Sequence, residues 1–81
     1  MYFTYVLKSS VKQKSYVGFT SDINRRLKEH NSGKHSYTKR YMPWVVVYTE
    51  IYEKLIDAKM SETYFKTAAG RRFLKKNIFK N

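Results

Sequence analysis

Aromatic and β-branched residues crowd YFTYVLK at 2–8, which predicts a strand. The polar run SSVKQK then reads as a turn, and SYVGF at 15–19 as the returning strand of a hairpin. Ser21 and Asp22 offer N-cap side chains to a helix from about Ile23 to Asn31, and Gly33 suits a left-handed cap beyond it. The stretch KHSYTKRYM reads as a basic, polar loop. Pro43 opens WVVVYTEIY, the most strand-like run and too apolar to be an exposed edge on both faces. A second helix is expected over Lys54–Lys66, a break at Ala68-Ala69-Gly70, and a short terminal helix over RRFLKKNIF. The order ββαβαα predicts an α+β fold, a small three-stranded antiparallel sheet flanked by helices, as one domain over 1–81.

Helical phase exposes two anomalies. A helix turns about 100° per residue, so Ile23 and Leu27 define the buried stripe of the first helix. His30 falls almost over Ile23 and Arg26 at the stripe's edge, while Arg25 points to solvent. A helix that needs only an apolar face has no use for arginine or histidine there. The plainer alternative is a snorkelling Arg26 and a hydrogen-bonded core His30. In the second helix Leu55, Ala58 and Phe65 mark the inner face, and Glu62 completes the spacing. Lys66 stands four residues on, but an exposed pair contributes only a few tenths of a kcal/mol and does not explain an inward carboxylate. An inward glutamate in so basic a chain is a natural ligand for a hard metal ion. Tyr5 and Tyr16 lie on the two hairpin strands, and Gly18 marks a bulge or a close backbone approach.

Composition sharpens this. The 81 residues hold 17 Lys and Arg against 6 Asp and Glu, a net charge of +11, with eight Tyr, five Phe, one Trp and no cysteine. The charge is that of a phosphate-backbone binder. Disulfides and thiolate metal sites are excluded. No apolar run approaches the roughly 20 residues of a membrane span, and no segment reads as a basic amphipathic anchor, so a membrane partner is not expected. MYFTYVL has none of the parts of a leader peptide, which makes the reading cytoplasmic.

The run SYVGFTSDINRRLKEHNSGK resembles the YIG half of the GIY-YIG nuclease motif and the Arg-x-x-x-His helix that follows it. Tyr16-Val17-Gly18 stands for YIG and Phe3-Thr4-Tyr5 for GIY, the two tyrosines being eleven residues apart. Arg26 and His30 fall at the helix positions of the motif, and Glu62 at that of the family's metal-binding glutamate. The resemblance covers the whole chain and is greatest to the minimal, single-domain (UPF0213) branch. Phe3 replaces the motif's first glycine and is expected to crowd the strand, and no C-terminal asparagine matches the extra polar residue that some members carry.

The resemblance implies an endonuclease that hydrolyses DNA with one Mg2+ or Mn2+ held by Glu62. Tyr5 would be the general base and Arg26 would grip the phosphate, with Tyr16 and His30 as helpers. A phenol of pKa near 10 then needs depression by neighbouring cations. Structure-selective cutting in repair or recombination fits such a protein, with a partner protein supplying specificity and a monomer that nicks. The basic and aromatic mixture of Lys34, His35, Tyr37, Lys39 and Arg40 suits backbone contact and stacking, whereas Arg71, Arg72, Lys75 and Lys76 read as a solvated basic face. Two other readings remain open: a non-catalytic nucleic-acid-binding module of the same fold, and a ribosome-associated basic protein.

Overall fold

The computed structural model describes residues 1–79; Lys80 and Asn81, the end of the expected 1–81 domain, lie outside the described residues. Strand β1 (Tyr2–Ser9) runs antiparallel to both β2 (Ser15–Thr20) and β3 (Trp44–Tyr52), in the sheet order β2-β1-β3. Its alternation is buried on both sides. Val6 joins one apolar cluster and Tyr5 and Leu7 the other, so β1 has no solvent face and takes the centre. Phe3 does not disturb the sheet, since it keeps its pairing with both Thr20 and Ile51. The polar turn closes on Ser9, whose Oγ accepts from the backbone of Val11 and Lys12.

Strand β3 is an edge by position yet packs on both sides. Trp44 and Val46 join one cluster and Val47 and Tyr48 the other, across a register shift opposite Val6 and Leu7. Such a bulge re-aims side chains and bends an edge strand. Only Val45 and Ile51 of its apolar run are left exposed among the described residues.

Helix α1 (Ile23–Asn31) starts at Asp22, which accepts from the Arg25 N–H at 3.0 Å; Asp22, not Ser21, is the cap. Gly33 follows its end at φ 82°, the left-handed conformation expected of it. The basic stretch expected to be loop contains one helical turn, α2 (Ser36–Lys39). Tertiary contacts hold it rather than local pattern. Thr38 is fully buried, and its carbonyl accepts from Trp44 Nε1 at 2.8 Å.

Helix α3 (Leu55–Phe65) corrects the expected inner face. Leu55 is exposed, because the helix first meets the sheet at Ala58, where Thr4 Oγ1 donates to the Ala58 carbonyl at 2.9 Å. Ala58 and Phe65 are buried and Glu62 is half-buried. The expected break also moves. Helix α4 (Ala68–Leu74) begins at the residues read as a break, which falls instead at Lys66-Thr67, with Thr67 capping the Gly70 N–H. A π-helical turn over Lys75–Phe79 continues it.

Helices α1 and α2 thus cover the Tyr5 and Leu7 face of the sheet, and α3 and α4 the Val6 face. Gly70 sets the α3–α4 contact. A Cβ there would collide with the Tyr64 carbonyl and lie 2.5 Å from Phe65 Cα. Gly70→Ala should therefore destabilise the protein by roughly 1–3 kcal/mol in urea unfolding, despite alanine's better helix propensity. The exposed Ala69→Gly should cost no more than about 1 kcal/mol. A stabilised Gly70→Ala protein would show that the two helices do not meet in this way.

Candidate active site

Tyr5 and Gly18 face each other across the hairpin. A Cβ on Gly18 would stand 2.6 Å from the Tyr5 hydroxyl, so glycine is what lets the tyrosine ring lie over β2. From there the hydroxyl reaches His30 Nε2 at 3.0 Å, and His30 Nδ1 lies 3.0 Å from Thr38 Oγ1. Thr38 Oγ1 in turn donates to the His35 carbonyl at 3.4 Å. With the threonine proton so used, His30 carries its proton on Nδ1, donates to Thr38 and accepts from Tyr5 on Nε2. Thr38 escaped sequence reasoning because nothing marks a threonine in a basic loop as a histidine's partner.

The His30 ring packs in tilted contact with Tyr16 and with His35, each with a centroid 4.8 Å away. Burial first, then the charges of His35 and Arg26, push its pKa down to about 4. Tyr5 moves the opposite way from the expectation. Burial, with help from Tyr16, raises its pKa well above the ordinary phenol value, and Arg26 offsets only part of this. The expected loosening of the Tyr5 proton by cations is therefore absent: Tyr5 is a neutral phenol bonded to a neutral imidazole.

Arg26 is half-buried and Arg25 exposed, as the helical phase required. Arg26 Nη1 bonds Glu29 Oε1 at 3.2 Å, but its Nε is buried with no hydrogen-bond partner. Glu62 comes from α3, on the far face of the sheet, close enough for its charge to act on Tyr5. It pairs with Lys66 at 3.2 Å, and its side chain is 20% exposed. Tyr5, Tyr16 and His30 thus form one contact cluster, and the charges of Arg26 and Glu62 act on its Tyr5. Of the basic stretch, His35 and Tyr37 join it, Tyr37 through a ring contact with Tyr16 at 6.1 Å. Lys34, Lys39 and Arg40 are exposed, and no contact ties their side chains to it among the described residues.

A second carboxylate is structural. Glu50 on β3 accepts from Tyr48, Tyr52 and Ser61 at 2.6–2.7 Å and so ties α3 to the sheet. Its burial works against ionisation, but the three hydroxyl bonds outweigh it and leave the pKa lowered.

Neutral burial of His30 has a consequence for stability. Its folded pKa of about 4 lies below the unfolded value of 6.5, so between the two the unfolded chain binds a proton that the folded chain does not. The contribution is full above about pH 6.5 and is lost as the pH falls toward 4. The stability difference between wild type and His30→Gln should shrink over that window by on the order of 3 kcal/mol. Urea unfolding at three pH values would read this, and a difference independent of pH would refute it.

Residues 1–77 match the family model of the GIY-YIG catalytic domain. The chain is 38% identical over 81 residues to the UPF0213 protein YsiG of Lactococcus lactis, covering 99% of this chain and 76% of that one. It is 39% identical over 73 residues to the UPF0213 protein YazA of Bacillus subtilis, covering 88% and 72%. The solution NMR structure of a UPF0213 protein from Bacillus halodurans superposes with a TM-score of 0.55 at 29% identity, over 94% of this chain and 84% of that one. None of these names states an activity. A family model matched over residues 1–77 and UPF0213 relatives matched almost end to end make this protein a member of the GIY-YIG nuclease family in its minimal UPF0213 branch.

Proposed function

We propose that this chain is a divalent-metal-dependent endonuclease that hydrolyses DNA phosphodiester bonds through the Tyr5, His30, Arg26 and Glu62 neighbourhood. The observation that carries the reading is Arg26 Nε, a buried cationic donor without a partner beside the Tyr5–His30 pair. Leaving such a donor unmet costs on the order of 1–3 kcal/mol. A phosphate oxygen meets it, and the planar guanidinium is the group suited to grip two such oxygens.

Glu62 fits a hard divalent cation. No cluster of three or more His, Cys, Asp or Glu exists among the described residues, so an all-protein cage is not on offer. A single carboxylate suits one Mg2+ or Mn2+ that completes its shell with water and substrate oxygens. Bound there, the ion would supply positive charge against the charge that builds on the phosphate oxygens. The Lys66 partner of Glu62 is worth only a few tenths of a kcal/mol and yields to a divalent ion.

Tyr5 works as a relay and not as a preformed tyrosinate. Its oxygen takes a proton from the attacking water while its own proton passes to His30 Nε2. The water oxygen bonds phosphorus as the bond to the leaving oxygen breaks; that oxygen keeps the electron pair and takes a proton from solvent. Thr38 holds His30 in the accepting tautomer, and Tyr16 and His35 pack against its ring. A phosphate anion in the site counters the Arg26 and His35 charges that depress His30, which makes it a better base. His35, Tyr37, Lys34, Lys39 and Arg40 would contact the DNA around the cut. One site implies nicking by a monomer, in the cytoplasm with the DNA. Preference for branched DNA in repair or recombination, set by the chain or by a partner protein, is the finest part of the reading.

With Mg2+ or Mn2+, the purified protein should nick plasmid or cut branched DNA. Glu62→Ala should remove the cleavage and keep salt-dependent binding. Arg26→Ala should cost about 10²–10³ in rate and Arg25→Ala almost nothing; equal losses would sink the assignment of the phosphate grip. If wild type and Glu62→Ala are equally inert on duplex, single-stranded, flap and junction DNA with both ions, the chain is a binding module. The pH profile tests the relay separately. With neutral His30 as acceptor, kcat/KM should stay level well below pH 6.5 and fall only as the pH approaches about 4. A rate that climbs steadily toward pH 10 would instead make free tyrosinate the base.

A further inference from the structure

Beyond the cutting site, a second feature of the surface is shaped for nucleic acid. Two cavities, of about 510 and 430 Å³, adjoin along the outer side of β2 and share Ser15 and Phe79. Lys66 and Arg71 line the first, and Lys8, Lys14 and Lys75 the second. No carboxylate lines either one among the described residues. The walls also carry aromatic rings, with Tyr16 and Tyr37 at one end and Phe79 at the junction. Tyr16 belongs to both the groove and the candidate active site, so the groove runs out of that site.

We infer that this groove binds an unpaired DNA strand and leads it to or from the point of cutting. The inference rests on the nuclease reading for the kind of polymer, and on charge and ring placement for its single-stranded state. Lys66 is paired with Glu62, but Lys8, Lys14, Arg71 and Lys75 have no carboxylate within ion-pair distance among the described residues. A row of such cations tracks a phosphate backbone. Rings beside that row add about 1–3 kcal/mol per stacked base, and only unpaired bases can use them. A duplex offers its phosphates to such a groove but keeps its bases stacked on one another, which leaves Tyr37 and Phe79 idle. The groove also explains Arg71 and Lys75, which sequence alone assigned to a solvated face.

The test is binding of a labelled 12-nucleotide oligo-dT strand by anisotropy, in EDTA so that no cleavage occurs, beside a blunt duplex and an abasic strand of equal length. Arg71→Ala/Lys75→Ala should weaken binding of the strand at least tenfold. Lys28→Ala/Lys59→Ala removes the same charge elsewhere and should weaken it less than threefold. Tyr37→Ala, at an exposed ring, should weaken the oligo-dT strand about tenfold and leave the abasic strand unchanged, the loss expected for one stack. Thermal unfolding of each variant checks that the fold is intact. Equal losses from the groove and control pairs would overturn the inference in favour of diffuse attraction. A groove pair that weakens the duplex more than the strand, or anionic phospholipid vesicles that compete as well as oligo-dT, would overturn it in favour of another occupant. Cleavage assays separate the two readings. Groove-dependent binding without any cutting leaves the groove and removes the nuclease, and full cutting with groove-independent binding does the reverse.

Discussion

The hydrogen-bond chain from Tyr5 through His30 to Thr38 ties together β1, α1 and α2, and Trp44 extends it to β3 through the Thr38 carbonyl. Every member is buried. In a small core that makes the chain an all-or-none device: complete, it fixes the register of four elements, and broken at one place it leaves buried donors or acceptors that each cost about 1–3 kcal/mol. Asn31 reinforces it with a two-point grip on the Trp44 backbone at 2.6 and 3.1 Å. The polar residues that look like chemistry in this protein are also the residues that decide where α1 and α2 sit.

Much of this was legible in the chain because local rules and the final fold agree. Asp22 and Gly33 bracket α1, and its phase puts His30 inward, Arg26 at the edge and Arg25 outside. What was hidden depends on contacts between distant segments. Helix α2 is a single turn, too short to show a period, and owes its place to Trp44. Leu55 fits an inner face by spacing but lies before the point where Thr4 catches α3. Ala68-Ala69-Gly70 reads as a break by composition, yet Thr67 caps it into a helix and Gly70 serves close packing. The direction of the Tyr5 shift follows from burial, which no motif records.

With 17 basic and 6 acidic residues, carboxylates are scarce, and three of the four glutamates have dedicated partners. Glu29 steadies one end of Arg26, Glu50 gathers three hydroxyls, and Glu62 waits on Lys66. The positive field is left almost unopposed along the groove beside β2, where it can draw a polyanion toward Tyr16. Glu62 meets that path through Lys66, a surface ion pair of the kind that contributes little.

Gly18 and Tyr5 are a single unit of inheritance. The glycine is required only because the opposite residue is a tyrosine whose ring covers it, and the ring can lie there only because the glycine has no side chain. A descendant that lost the tyrosine would be free to fill position 18, and one that filled position 18 first would have displaced the hydroxyl from His30. Drift away from this chemistry is therefore ordered: the tyrosine goes first and the glycine follows. Within this fold, a side chain opposite an intact tyrosine would mark a ring that has swung off β2 and left His30.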